Sequence, residues 1–128
     1  RQRKKIADKP AQEAVTEFER LATIELPVEV DKYPQSRYSL VSAKILTGRK
    51  HQIRRHFKHI SHPIIGCPKY GQSKHNQYFA EAYNVNRLLL HAYRLRLQHP
   101  ASGQSLLIEA RLTGCFADLL PTFDWCLP

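Results

Sequence analysis

Apolar and polar positions alternate along the chain from Glu17 onward. Phe18, Ala22, Ile24 and Leu26 fall on one parity, and Glu17, Glu19, Thr23 and Glu25 fall on the other. A period of two predicts a half-buried strand, with Arg20 as its one exception. Two Pro and an Asp between Pro27 and Gln35 predict a connection. Residues 37–46, bearing Tyr, Val and Ile, predict a second strand. Thr47-Gly48 breaks it, and Thr47 is a candidate N-cap for a helix. From about Lys50 to Ile60 the period changes. Ile53, Phe57 and Ile60 recur at i, i+4 and i+7, a narrow helical stripe with basic flanks. His62 to Gly71 is turn-rich. Residues 74–84 predict a short helix with Phe79 and Tyr83 on one face.

Residues 88–97 predict a strand with Leu89, His91, Tyr93, Leu95 and Leu97 on one face and Arg94 and Arg96 on the other. His99 to Gly103 makes a hairpin connection. Residues 104–112 return with Leu106, Ile108, Ala110 and Leu112 on one face. Phe116 to Trp125 predicts a closing helix that Pro121 weakens. Residues 1–12 are charged and contain Pro10, which predicts a linker or frayed end before a body at 13–128. The fold class is α+β, with a mixed, mostly antiparallel sheet and flanking helices.

At 128 residues the chain is one domain's worth of protein. It has 20 Lys and Arg against 11 Asp and Glu, a net charge of +9. No apolar run approaches a membrane span, and the start carries no signal-peptide pattern. Three Cys at irregular spacing do not make a disulfide framework, which points to a reducing cytoplasm. The absence of Met raises the expectation that this is a piece of a longer protein.

The distribution of charge changes the picture more than its sum. Lys44, Arg49, Lys50, Arg54, Arg55 and Lys58 occur without an Asp or Glu between positions 44 and 63, and the acids sit mostly in the first 31 residues. Such clustering favours a polyanionic partner. His51, His56, His59, His62 and Cys67 lie close together, but no CxxC, HExxH or paired Cys completes a metal set. We therefore expect no metal, and read most of these His as polar surface or hydrogen-bonding residues. A strand end, a Gly turn and a basic helix start at 46–56 bring N–H groups and guanidinium groups together. That arrangement suits a phosphate or a carboxylate.

TGRKHQIRRHFKHISHPIIGCPKYG, followed by NRLLLHAYRLRLQHPASGQ, resembles the C-terminal half of the catalytic domain of the RluA-type pseudouridine synthases. That family carries TGR-x-HQIR-x-H, HPI-x-GD-x-x-YG, RL-x-LHA and HP-x-(S/T)G in this order, over roughly residues 36–112 here. The wider context resembles one tRNA-modifying branch. The resemblance implies isomerisation of uridine to pseudouridine, at uridine-65 of the T stem, with tRNA as partner and no cofactor. A monomer that does not engage membranes is expected. The family's catalytic Asp sits in an HRLD-type motif that these residues lack, so the chain alone is expected to be inactive.

By the same resemblance Arg54 pairs with that Asp, and Leu89 or Leu90 walls the flipped uracil. Arg49, Lys50, Arg55, Lys58, Lys69 and Arg87 are candidate phosphate contacts. Cys67 stands where the family has Asp, which puts a hydrogen bond of that loop in doubt. Two alternatives stay open: a non-catalytic RNA-binding module, and a pseudouridine synthase acting on rRNA. The two predicted strand pairs imply a larger sheet, with edges and apolar surface exposed in this chain.

Overall fold

A computed structural model describes residues 13–127 and the backbone of residues 4–8. The element order is β1 (Lys4–Asp8), β2 (Ala14–Leu26), β3 (Ser36–Ile45), α1 (Gln52–His59), α2 (Ser73–Tyr83), β4 (Arg94–Gln98), β5 (Ser105–Glu109) and α3 (Gly114–Thr122). Strands β1, β2 and β3 form one antiparallel sheet in that order, and β4 and β5 form a separate antiparallel hairpin. The α+β class holds.

The stretch read as a linker differs from that expectation at Lys4–Asp8, whose backbone pairs with Ala14–Phe18. A neighbouring strand supplies partners that charge composition does not reveal. The rest of that stretch lies outside the described residues.

The exception at Arg20 has a structural cause. Arg20 pairs with Val41, but Ala22 pairs with Leu40, so Leu21 is an extra residue in β2. Paired residues share a sheet face, and faces alternate along β3. The bulge therefore places Ala22, Ile24 and Leu26 on the face opposite Phe18. The single-face reading of these four residues is corrected accordingly. Burial in β3 changes with the switch: Ser36, Tyr38 and Leu40 are buried, and then Val41 and Ala43 become the half-buried positions.

Each half of the β2–β3 hairpin has its own layer. Phe18 meets Phe57 of α1 edge to face, with ring centroids 5.2 Å apart. On the other side, Tyr38 packs on Phe79 of α2 at 4.7 Å. Phe79, Val85, Leu119 and Phe123 complete that core, with Ile24, Leu26 and Leu89 packed against it. Trp125 closes it against Phe123, at 5.0 Å. Helix α3 stops just after Pro121. The N–H groups of Phe123 and Trp125 donate to Leu119 O and Leu120 O at 2.9 and 2.7 Å.

The strand expected over 88–97 begins only at Arg94, and the return strand narrows to Ser105–Glu109. Before Arg94 the backbone has other partners. Leu89 N–H donates to Ile65 O at 3.0 Å, and the Arg87 guanidinium donates to Leu88 O and Leu90 O, both at 2.9 Å. Gly66, at φ +85°, makes this docking possible, because a Cβ there would overlap the Arg87 carbonyl. Leu95 and Ile108, paired on one face of the β4–β5 hairpin, and Leu107, on the Arg96 face, are exposed.

His75 lies beside Tyr38, its Nδ1 2.8 Å from the Tyr38 hydroxyl. Burial holds its imidazole below the usual value, against an upward pull from Asp31. On acidification through about pH 6.5 the unfolded chain takes up that proton first, so stability falls as pH drops. Thermal melts should show a lower Tm at about pH 5 than at about pH 7, with the difference reduced in His75→Gln. A Tm that is flat with pH and unaffected by the substitution would contradict this.

Candidate functional site

The site is organised by the start of α1. Gln52 is buried, and all four hydrogen-bonding positions of its amide are occupied. Its Oε1 accepts from Thr47 Oγ1 at 2.7 Å and from Arg49 N–H at 3.0 Å, while its Nε2 donates to Val15 O at 2.9 Å and Thr16 Oγ1 at 3.0 Å. Thr16 is fully buried and also contacts His56 Nδ1 at 2.8 Å. These bonds lock the Thr47-Gly48 turn, β2 and α1 together. An amide satisfied on all sides contributes specificity as well as about 1 kcal/mol per bond.

Thr47 is not the N-cap. Its hydroxyl joins this network instead, accepting from Val15 N–H at 3.0 Å. The cap position is His51, at φ 52°, with no side-chain cap bond. A left-handed His carries a conformational cost. Here that turn places the imidazole on Tyr70, Nδ1 3.3 Å from the hydroxyl and rings edge to face at 5.6 Å. Burial and then the positive charges of Arg54, Lys50, Lys69 and Arg55 hold His51 below the usual imidazole value. It is therefore a neutral hydrogen-bonding group at neutral pH.

One turn further, Arg54 points at the 62–71 loop. Its Nε donates to Cys67 Sγ at 3.2 Å, and its guanidinium carbon sits 5.5 Å from the Tyr70 ring centroid. The Lys69 ammonium lies over the same ring at 5.3 Å. Cys67 thus accepts a hydrogen bond at this loop through its sulfur. Cys67 is 1% exposed. Burial pushes its thiol up, but hydrogen bonds from Arg54 and from the backbone of Tyr70 and Lys69 outweigh that and leave it below the ordinary thiol value. Asn76 pins the loop. Its Oδ1 accepts from Gly66 N–H at 2.8 Å, and its Nδ2 donates to Cys67 O at 3.1 Å.

An apolar groove of about 1020 Å³ runs past α1. Phe18, Ile53, Phe57, Leu89, Leu90 and Trp125 are among its walls. The structure thus puts Leu89 and Leu90 on one surface. Arg54 stands on the helix that forms part of that wall.

The expected phosphate contacts divide into two sets. Arg49, Lys50, Arg55 and Lys58 are exposed along the turn and α1, and Lys69 is exposed on the loop facing Arg54. Arg49 also donates through Nε to Glu13 O at 3.1 Å, and Arg55 reaches Lys50 O at 3.4 Å. Arg87 is set apart, because its donors hold the carbonyls that shape the Leu88–Leu90 turn. Among the described residues, no three His, Cys, Asp or Glu side chains converge on a metal position. No described helix is long and apolar enough to cross a membrane. Sequence reasoning assigned no role to Gln52 or Tyr70 and did not separate His56, which is buried and bonded to Thr16, from the other His read as polar surface or hydrogen-bonding residues. The available signal was that Gln52 and His56 are spaced i, i+4 immediately before the apolar pair Ile53 and Phe57.

A family profile described as RNA pseudouridylate synthase matches residues 1–59. The chain is 47% identical to the tRNA pseudouridine synthase C of Salmonella typhi over 130 residues, covering 97% of this chain and 50% of that protein. It is 48% identical to the protein of the same name from Pasteurella multocida over 94% of this chain and 49% of that protein. The Vibrio parahaemolyticus protein of that name is 43% identical over 92% of this chain and 48% of its own length. The chain spans about half the length of the curated relatives it matches.

Proposed function

We propose that the chain belongs to the RNA pseudouridylate synthase family, which its profile match over residues 1–59 and its similarity to the tRNA pseudouridine synthase C proteins support, and that the full-length protein isomerises uridine to pseudouridine in tRNA. The substrate position proposed is uridine-65 of the T stem. Residues 13–128 are the C-terminal portion of the catalytic domain, working in the cytoplasm as a monomer without cofactor or metal. The observation that carries this reading is the placement of Arg54, held by Cys67 and Tyr70 on a helix that also walls an apolar groove with Leu89 and Leu90.

The reaction exchanges the C1′–N1 glycosidic bond of uridine for a C1′–C5 bond, with no net gain or loss of atoms. Two things are asked of the protein: an oriented, ionised carboxylate, and an enclosure for a base taken out of its stack. A fixed guanidinium supplies the first, since an opposite charge keeps a neighbouring carboxylate ionised. In this reading the carboxylate is contributed from outside these 128 residues. Asp31 supports the distinction, being engaged with Lys74 at 3.2 Å and Gln72 at 3.3 Å. Leu89 and Leu90 supply the apolar enclosure. Arg49, Lys50, Arg55, Lys58 and Lys69 hold the RNA backbone, while Arg87 acts mainly by shaping the leucine wall.

Nucleoside analysis of tRNA incubated with the full-length protein should show new pseudouridine. The 128-residue chain by itself should make none, yet should retain weak, salt-sensitive tRNA binding. Turnover by the chain alone would contradict the assignment of the carboxylate. In the full-length protein, Lys58→Ala should weaken tRNA binding and reduce the slope of log affinity against log salt by about 1. Titrations at several salt concentrations check it, and an unchanged slope would remove Lys58 from the RNA contact set.

A further inference from the structure

We propose that Cys67 is a positioning residue for the isomerisation, its sulfur holding the Nε edge of Arg54 so that the outer edge of the guanidinium faces the reacting carboxylate. This role rests on the protein being a uridine isomerase. Four observations carry it. The Arg54 Nε to Sγ contact is 3.2 Å and joins the helix to the loop. Cys67 is buried, so this anchor is shielded from water. The anchor itself cannot drift, because Cys67 O accepts from Gly71 N–H at 3.0 Å and from Asn76 Nδ2 at 3.1 Å. The Tyr70 ring, lying against the guanidinium, limits its rotation from a second side.

The geometry matters because Arg presents donors on two edges of a rigid plane. With Nε bonded to sulfur, the terminal nitrogens are left to meet a carboxylate. Without that bond the side chain recovers its rotamer freedom, and the pairing must be made from a mixture of orientations. A misplacement of about 1 Å in such a group can cost on the order of a hundredfold in rate. Of the proposed phosphate contacts only Lys69 has its backbone bonded to the sulfur, and Arg49, Lys50, Arg55 and Lys58 stand on the turn and α1, so tRNA binding should change little on its loss.

The test uses the full-length protein and its Cys67→Ala and Cys67→Ser variants. Cys67→Ala should lower kcat about tenfold or more at an unchanged KM for tRNA and an intact fold by circular dichroism. Cys67→Ser, whose hydroxyl can still accept from Nε, should recover kcat to within about threefold of the parent. Parental kcat in Cys67→Ala, or a loss that Ser does not recover, overturns the positioning role. The Arg54 Nε–H resonance gives a second readout that does not need turnover. Slow solvent exchange in the parent and fast exchange in Cys67→Ala support the anchor, and equal exchange overturns it. A parent protein that makes no pseudouridine overturns the functional reading and the positioning role built on it, and the resonance then reports whether the contact alone exists.

Discussion

Replacing Arg54 with alanine in the full-length protein should lower the single-turnover rate on tRNA by about a hundredfold or more, with affinity changed less than about threefold. The size reflects what the guanidinium is asked to do. A charge placed in advance beside a reacting carboxylate stabilises its ionised form and fixes its direction. Removing such a preorganised group typically costs several kcal/mol of barrier. The small effect on affinity comes from position. Arg54 is half-buried and turned toward Cys67 and Tyr70, whereas Lys50, Arg55 and Lys58, the proposed phosphate contacts, are exposed. Arg54→Lys should restore little of the rate. An ammonium is a point charge and cannot bond sulfur on one edge while presenting a planar fork on the other. Normal single-turnover kinetics in Arg54→Ala would overturn the role given to this side chain.

Phe79→Ala should be the most damaging single truncation of the core, destabilising the chain by about 3–5 kcal/mol. Phe79 is 2% exposed. Its ring meets four others: Tyr38 at 4.7 Å, Tyr83 at 5.2 Å, Tyr78 at 5.9 Å and Phe123 at 6.1 Å. These partners come from β3, from α2 itself and from the segment after α3, so no one element can shift to fill the space. A cost of that size is a large part of the roughly 5–15 kcal/mol that stabilises an ordinary domain. Guanidinium melts should show a sharply lower midpoint for Phe79→Ala, and a change within about 0.5 kcal/mol for the exposed Tyr33→Ala. Comparable midpoints for the two variants would show that the aromatic cluster is not the centre of stability.

Much of the fold was legible from periodicity. Helix α1, helix α2 and the β2–β3 pair fall where period 3.6 and period 2 place them, although the bulge at Leu21 moves the apolar residues of β2 from one face to the other. The segment before β4 was not legible. LLLHAY alternates well enough for a strand, but the Ile65 carbonyl and the Arg87 guanidinium claim the backbone groups a strand would use. Those partners lie in a distant loop and in a side chain, where no local pattern reports them. The site shows the same division. Arg54, Leu89 and Leu90 could be nominated from motif positions. The Cys67 contact and the Tyr70 platform depend on how the loop returns to α1. Gln52 escaped for a related reason: a buried amide looks unfavourable in sequence until all its partners are counted.

The bulge at Leu21 has a consequence for how one hairpin can serve two tasks. Alternation along a strand is a two-state rhythm, and a single added residue reverses its phase. Upstream of Leu21 the hairpin is a floor for α1 and so for the guanidinium. Downstream it is a ceiling for the aromatic core. The two layers are carried by the same pair of strands, and they meet in the groove that Phe18 and Phe57 line together with Tyr38 and Phe79. One added residue sets Phe18 on one face and Ile24 and Leu26 on the other, while Leu89 joins the aromatic core to the proposed base enclosure.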